Sequence, residues 1–113
     1  MTTDSQLASR HCKPCEGGVE PLAPEQTRTL LEQLDEWKLT DDGRAIYRKR
    51  SLRDFKEALG YLNRVGELAE AEQHHPDLHL TGYRKVRIEL TTHAIGGLSE
   101  NDFILAAKID RLA

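Results

Sequence analysis

The stretch SLRDFKEALGYLNRVGELAEAEQHHP, residues 51–76, decides the architecture. Leu52, Phe55, Leu59, Leu62, Val65 and Leu68 recur three or four apart, the period at which side chains fall on one side of an α-helix. Ser51 is placed to cap that helix, and Asp54 three residues on gives a capping-box-like pattern. Pro76 sets the far end, because the residue before a proline is pushed out of helical space. The spacing predicts a helix of about six turns closing at His74. His75 is then already extended, so the two adjacent imidazoles diverge.

Upstream, Pro24 opens a shorter helix whose Leu30, Leu31 and Leu34 share a face, ending near Asp35. Trp37 to Thr40 alternates, Asp41-Asp42-Gly43 is a turn, and Ala45 to Arg50 returns as the second strand of a hairpin, with Trp37 as a core anchor. Downstream, a short segment from Leu78 to Tyr83 precedes Lys85 to His93, where Val86, Ile88 and Leu90 alternate with polar residues and His93 ends the strand on the polar face. Gly96-Gly97 breaks the chain. Ser99 then starts a last helix, with Asp102 as the acid of a capping box and Leu98 and Phe103 spaced as a hydrophobic staple. The order is α-β-β-α-β-β-α. The economical fold is α+β, a four-stranded antiparallel sheet with three helices packed on one face. Open sheet edges of this kind invite pairing between subunits, so a homo-oligomer is expected.

The bulk numbers bound the function. A chain of 113 residues with 38% hydrophobic and 31% charged residues is one globular domain, expected over residues 21–113 behind a flexible tail at 1–20. A net charge of −3 argues against a nucleic-acid partner, and the local run Arg44, Arg48, Lys49, Arg50, Arg53 and Lys56 reads as a solvated face. No apolar run approaches the roughly 20 residues that cross a bilayer, and the N-terminus lacks a signal-peptide core. A cytoplasmic protein without membrane partners is expected. In HCKPCEGG, residues 11–18, a zinc site or redox pair of Cys12 and Cys15 beside His11 lacks both the remaining ligands and a strand-to-helix context. A loose tail is the simpler reading.

Three of the five histidines, His74, His75 and His79, fall within six positions. The candidate metal ligands His74, His75, Asp77, His79 and His93 match no usual zinc spacing, so no metal is expected. Imidazoles titrate near neutrality and can give or take protons. Glu70, one turn before His74, is placed to hold one of its ring nitrogens, and Asp102 is a capping residue that can also bring charge to the site. His11 and His79 remain unassigned. There is no G-x-S-x-G elbow, phosphate-cradling glycine loop or dinucleotide fingerprint. Acid–base catalysis by histidines is what the residues themselves support.

The run from Glu70 to Asp110, ExxxHHPxxxxxxYxxVxxxLxTHxxGGLSxxDxxLAxxID, resembles the signature of the pterin-4a-carbinolamine dehydratases, and the likeness extends upstream through Phe55 and Trp37 to about residue 22. The resemblance implies dehydration of 4a-hydroxytetrahydrobiopterin to quinonoid dihydropterin, recycling the cofactor of aromatic amino acid hydroxylases such as phenylalanine hydroxylase. It implies no metal and no cofactor besides the pterin substrate, a four-stranded sheet with three helices, and a homodimer or homotetramer. It implies that His74 and His93 are the acid–base pair, that His75 binds and orients the pterin, and that Glu70 and Asp102 support the site. Gln73, Pro76, Thr91, Thr92 and Ala94 would join the three histidines in contacting the pterin. Gln73 stands where animal members tend to carry an acid. Two other readings are a non-catalytic oligomeric coregulator module, since animal relatives stabilise a homeodomain factor, and a pterin-site protein in molybdenum cofactor metabolism.

Overall fold

The computed structural model describes residues 4–12 and 20–112, with side chains from Leu7 onward. Four strands, β1 (Lys38–Leu39), β2 (Ile46–Ser51), β3 (Asp77–Thr81) and β4 (Lys85–Leu90), form one antiparallel sheet in the order β1-β2-β4-β3. Helices α1 (Asp4–Ser9), α2 (Pro24–Leu31), α3 (Phe55–Glu72) and α4 (Glu100–Asp110) complete it, with a single 3₁₀ turn at His93–Ile95. The expected α+β fold is present, with four helices among the described residues instead of three.

The central strand β4 shows why the sheet has one covered face. Val86, Ile88 and Leu90 are buried while Lys85, Arg87 and Glu89 alternate with them on the other side, the period-two pattern of a half-buried strand. Ile46 of β2 pairs with Leu90 on the covered face, against Ala58, Tyr61, Val65 and Ala69 of α3. This buried stripe of α3 is rotated from the predicted one. Phe55 and Leu59 stay 50% and 41% exposed.

Several boundaries differ for identifiable reasons. Ser51 is the last residue of β2, so the cap of α3 is Asp54, whose carboxylate accepts from the Glu57 N–H at 2.8 Å. Helix α2 stops a turn early, at Leu31, and Glu36 takes a left-handed φ of 61° that brings Trp37 into the core. The Trp37 indole N–H there donates to Asp110 at 2.8 Å. The basic run does not share one face: Arg48 pairs with Asp110, Arg50 lies over the Tyr61 ring, and Arg53 meets Asp54 and Glu57. Strand β4 ends at Leu90, so His93 opens the 3₁₀ turn.

The reading of residues 1–20 as a tail needs correction over residues 4–12. In α4 every residue from Asn101 to Ala107, and Ile109, is buried, and the sheet layer can cover only one side of so apolar a helix. Helix α1 covers another, placing Leu7 at 2% exposure and Ala8 at 9%. Lys108 donates to the Ala8 carbonyl at 2.8 Å and Arg10 pairs with Glu100. Burying Leu7 alone stabilises the contact by about 2 kcal/mol. Residues 13–19, including Cys15, lie outside the described residues.

Candidate active site

The geometry starts where α3 ends. Gln73 caps the helix in a left-handed conformation, φ 54° and ψ 40°, and its side-chain amide donates back to the Glu70 carbonyl. A non-glycine residue in this region signals a backbone held by its surroundings. The chain therefore leaves the helix one residue before His74. His74 turns inward and His75 outward.

The inward histidine meets a buried carboxylate. His74 Nε2 lies 2.6 Å from Asp102 Oδ1, and the Asp102 side chain has no solvent exposure. The other oxygen, Oδ2, accepts from the Thr92 hydroxyl at 2.8 Å and from the Ser99 N–H at 2.9 Å. Three donors thus offset the cost of burying the charge. Asp102 reaches back to Ser99 as the predicted capping acid, while the Ser99 hydroxyl is shared with Thr92. One residue ends up joining α3, α4 and the segment after β4. Because a carboxylate only accepts, His74 carries its proton on Nε2.

The outward histidine meets an exposed carboxylate. Glu70 was expected to hold His74; it holds His75 Nε2 instead. The left-handed turn at Gln73 moves His74 off the face that Glu70 shares. Both partners are open to solvent, at 59% and 71% exposure.

His93 lies exposed in the 3₁₀ turn after β4. The turn is closed by Gly96 in the left-handed region and tied to the strand by the Thr92–Gly97 bridge. A side chain at Gly97 would meet Pro21 at 2.9 Å, so glycine is required where the N-terminal strap, bonded through Leu22 N–H to Leu98 O, crosses this loop. Gln73, His74, His75, Thr91, Thr92, His93, Ala94 and Asn101 line one shallow cleft of about 240 Å³. All three catalytic candidates and the expected contact residues except Pro76 are on its wall. Pro76 leads into β3. Asn101 was missed; its only sequence signal is its place in the first turn of α4, beside Asp102.

Beneath the cleft, Glu72 accepts from the Cys12 N–H at 2.7 Å and contacts His11 at 2.9 Å and Lys108 at 3.8 Å. Burial, then the nearby Glu72 and Asp102 charges, push the Cys12 thiol up to about 12. At neutral pH it is a protonated packing group rather than a nucleophile or metal ligand. No three potential metal ligands converge among the described residues.

The comparisons with known proteins bear on this arrangement. The family model described as pterin 4 alpha carbinolamine dehydratase matches residues 20–112. The chain belongs to that family. A relative from Halorhodospira halophila, provisionally named a pterin-4-alpha-carbinolamine dehydratase, is 51% identical over 94% of this chain and 96% of its own length. One from Nitrosomonas eutropha with the same provisional name is 50% identical over 99% and 97%. The crystal structure of a protein from Brucella melitensis described as a transcriptional coactivator/pterin dehydratase superposes with a TM-score of 0.75 at 31% identity, covering 80% of this chain and 96% of that one. The dehydratase fold also matches a pterin dehydratase-like RuBisCO assembly factor of the alpha-carboxysome, with a TM-score of 0.57 at 18% identity over 67% of this chain and 87% of that one, a likeness of fold alone.

Proposed function

We propose that the protein dehydrates 4a-hydroxytetrahydropterins to quinonoid dihydropterins by histidine acid–base catalysis. The observation that carries this reading is the convergence of His74, His75 and His93 on one cleft in a chain of the dehydratase family. A flat ring suits so shallow a cleft. In the reaction the N5 lone pair forms the C4a=N5 bond as the C4a–O bond breaks. An imidazolium protonates the departing hydroxyl, which leaves as water, and a neutral imidazole takes the N5 proton. His74 and His93 fill these roles. Nδ1 of His74 is held toward substrate by the Asp102 contact at Nε2, and exposed His93 reaches the ring from the facing loop. His75, with its Nε2 bonded to Glu70, binds and orients the pterin.

The substrate is the only cofactor-like molecule in this scheme. The product would return to the pterin pool of an aromatic amino acid hydroxylase such as phenylalanine hydroxylase in the cytoplasm. No helix is long and apolar enough to cross a membrane among the described residues. The exposed Phe55 and Leu59 of α3, with Leu78 on edge strand β3, favour a homodimer or homotetramer. The same apolar residues are what a coregulator module would use, which keeps that reading second.

The deciding experiment follows, by ultraviolet absorbance, the loss of water from enzymatically generated 4a-hydroxytetrahydropterin with and without the protein. Acceleration is expected. An unchanged rate with folded protein would overturn the enzymatic reading and bring the coregulator module forward.

A further inference from the structure

A groove of about 560 Å³ lies away from the histidine cleft, on the face of the sheet that carries no helix among the described residues. Strand register organises it in two rows. Lys49, Arg87 and His79 stand side by side across β2, β4 and β3, and Ser51, Lys85 and Thr81 form the next row. Lys49 and Arg87 are directly opposite each other, a like-charge placement that destabilises a bare sheet. Arg87 is partly answered by Glu89 at 2.7 Å. Lys49 and Lys85 have no carboxylate partner among the described residues. No carboxylate lines the groove. Tyr47 holds the upper cations in place, with the Arg87 guanidinium 4.1 Å and the Lys49 ammonium 6.0 Å from its ring centroid.

The geometry points to a binding site for a small molecule bearing a di- or triphosphate, held by Lys49, Arg87 and Lys85 with the hydroxyls of Ser51 and Thr81. Rows on one face of a sheet are about 7 Å apart, so linked phosphoryl groups reach both rows where a single one does not. Arg87 supplies a planar fork for phosphate oxygens and the lysines supply mobile point charges. On the Tyr47 side the positive surface stops. The third row, Tyr47, Glu89 and Asp77, carries two carboxylates, and the chain as a whole is at −3. A nucleic-acid backbone needs a positive track that continues. A short polyphosphate does not.

The test is calorimetric titration of inorganic pyrophosphate into the full chain at low salt, with amide chemical shifts recorded in parallel. Saturable binding is expected, with shifts confined to the Lys49–Ser51, His79–Thr81 and Lys85–Arg87 segments. Lys49→Gln with Lys85→Gln should weaken it about tenfold or more, while Arg10→Gln, which removes a cation on the far helical side, should not. Pterin dehydration should be unchanged in the double variant, which separates this site from the histidine cleft. Absence of saturable binding, unaltered affinity in the double variant, or shifts centred on His74, His75 and His93 would overturn the proposal. So would a short single-stranded oligonucleotide that displaces pyrophosphate and binds more tightly.

Discussion

Two imidazole–carboxylate pairs begin one residue apart in the chain and end in opposite surroundings. The side chains of His74 and Asp102 are 11% and 0% exposed, those of His75 and Glu70 59% and 71%. In the first, the carboxylate is also bonded to Thr92 and Ser99, so it cannot turn without breaking contacts to the segment after β4 and to the cap of its own helix. In the second, water competes for both partners, and such a pair is worth about 1 kcal/mol or less. The same chemical couple is therefore a fixed orienting device in one place and an adjustable one in the other. Catalytic geometry should depend on the buried couple far more than on the exposed one.

The largest test removes the imidazoles themselves. His74→Ala and His93→Ala should each lower turnover by about tenfold or more, and the double variant should nearly abolish enzymatic dehydration. Full activity in the folded double variant would break the mechanism. Next comes Asp102→Asn. Three donors point at this carboxylate, and an amide replaces one of its accepting oxygens with an N–H₂, which must face a group able to accept. Turned toward His74, it would move the ring proton to Nδ1, the nitrogen assigned to substrate. A fall in kcat of about tenfold to a hundredfold is expected with little change in KM, together with a changed imidazole nitrogen signature by NMR. A KM effect alone would show that Asp102 acts only through packing. Glu70→Gln should then change kcat by less than about threefold, with any larger effect in KM through His75. A loss as large as that of Asp102→Asn would erase the distinction between the pairs.

The smallest effect on rate is expected at Glu72, which ties residues 11 and 12 to the end of α3. Burial would raise its pKa, but hydrogen bonds from the Cys12 N–H and His11, with the Lys108 charge, outweigh it and hold the carboxyl below its usual value of 4.5. A depressed acid stabilises the fold above its unfolded pKa, and that contribution is lost as pH falls through the lower folded value. The melting temperature should therefore decline below about pH 4.5. Glu72→Gln should flatten this part of the profile and cost about 1–3 kcal/mol at neutral pH, read by thermal denaturation.

What could be read in advance was what neighbours in the chain decide. The alternation of Val86, Ile88 and Leu90 gave β4, and Ser99 with Asp102 gave the start of α4. The partner of Glu70 was beyond reach, because helical spacing assumes that the helix continues through His74, and the turn at Gln73 ends that assumption. Helix α1 was equally hidden, since Asp4–Ser9 is six residues with a single leucine and has no pattern of its own. Its trace was elsewhere, in the run Phe103–Ala107, which leaves α4 no polar side over that stretch. Asn101 enters the cleft only through the docking of α4.

Gln73 also bears on how the site can vary. Had α3 continued through residue 75, both imidazoles would have ridden on one rigid cylinder, and any tilt of the helix would have moved them together. The left-handed residue uncouples them. One imidazole takes its bearings from the core and the other from the surface, so changes at Glu70 and the rim can accumulate without disturbing the inner ring. Two letters that are inseparable in the sequence thus become independent variables in the molecule.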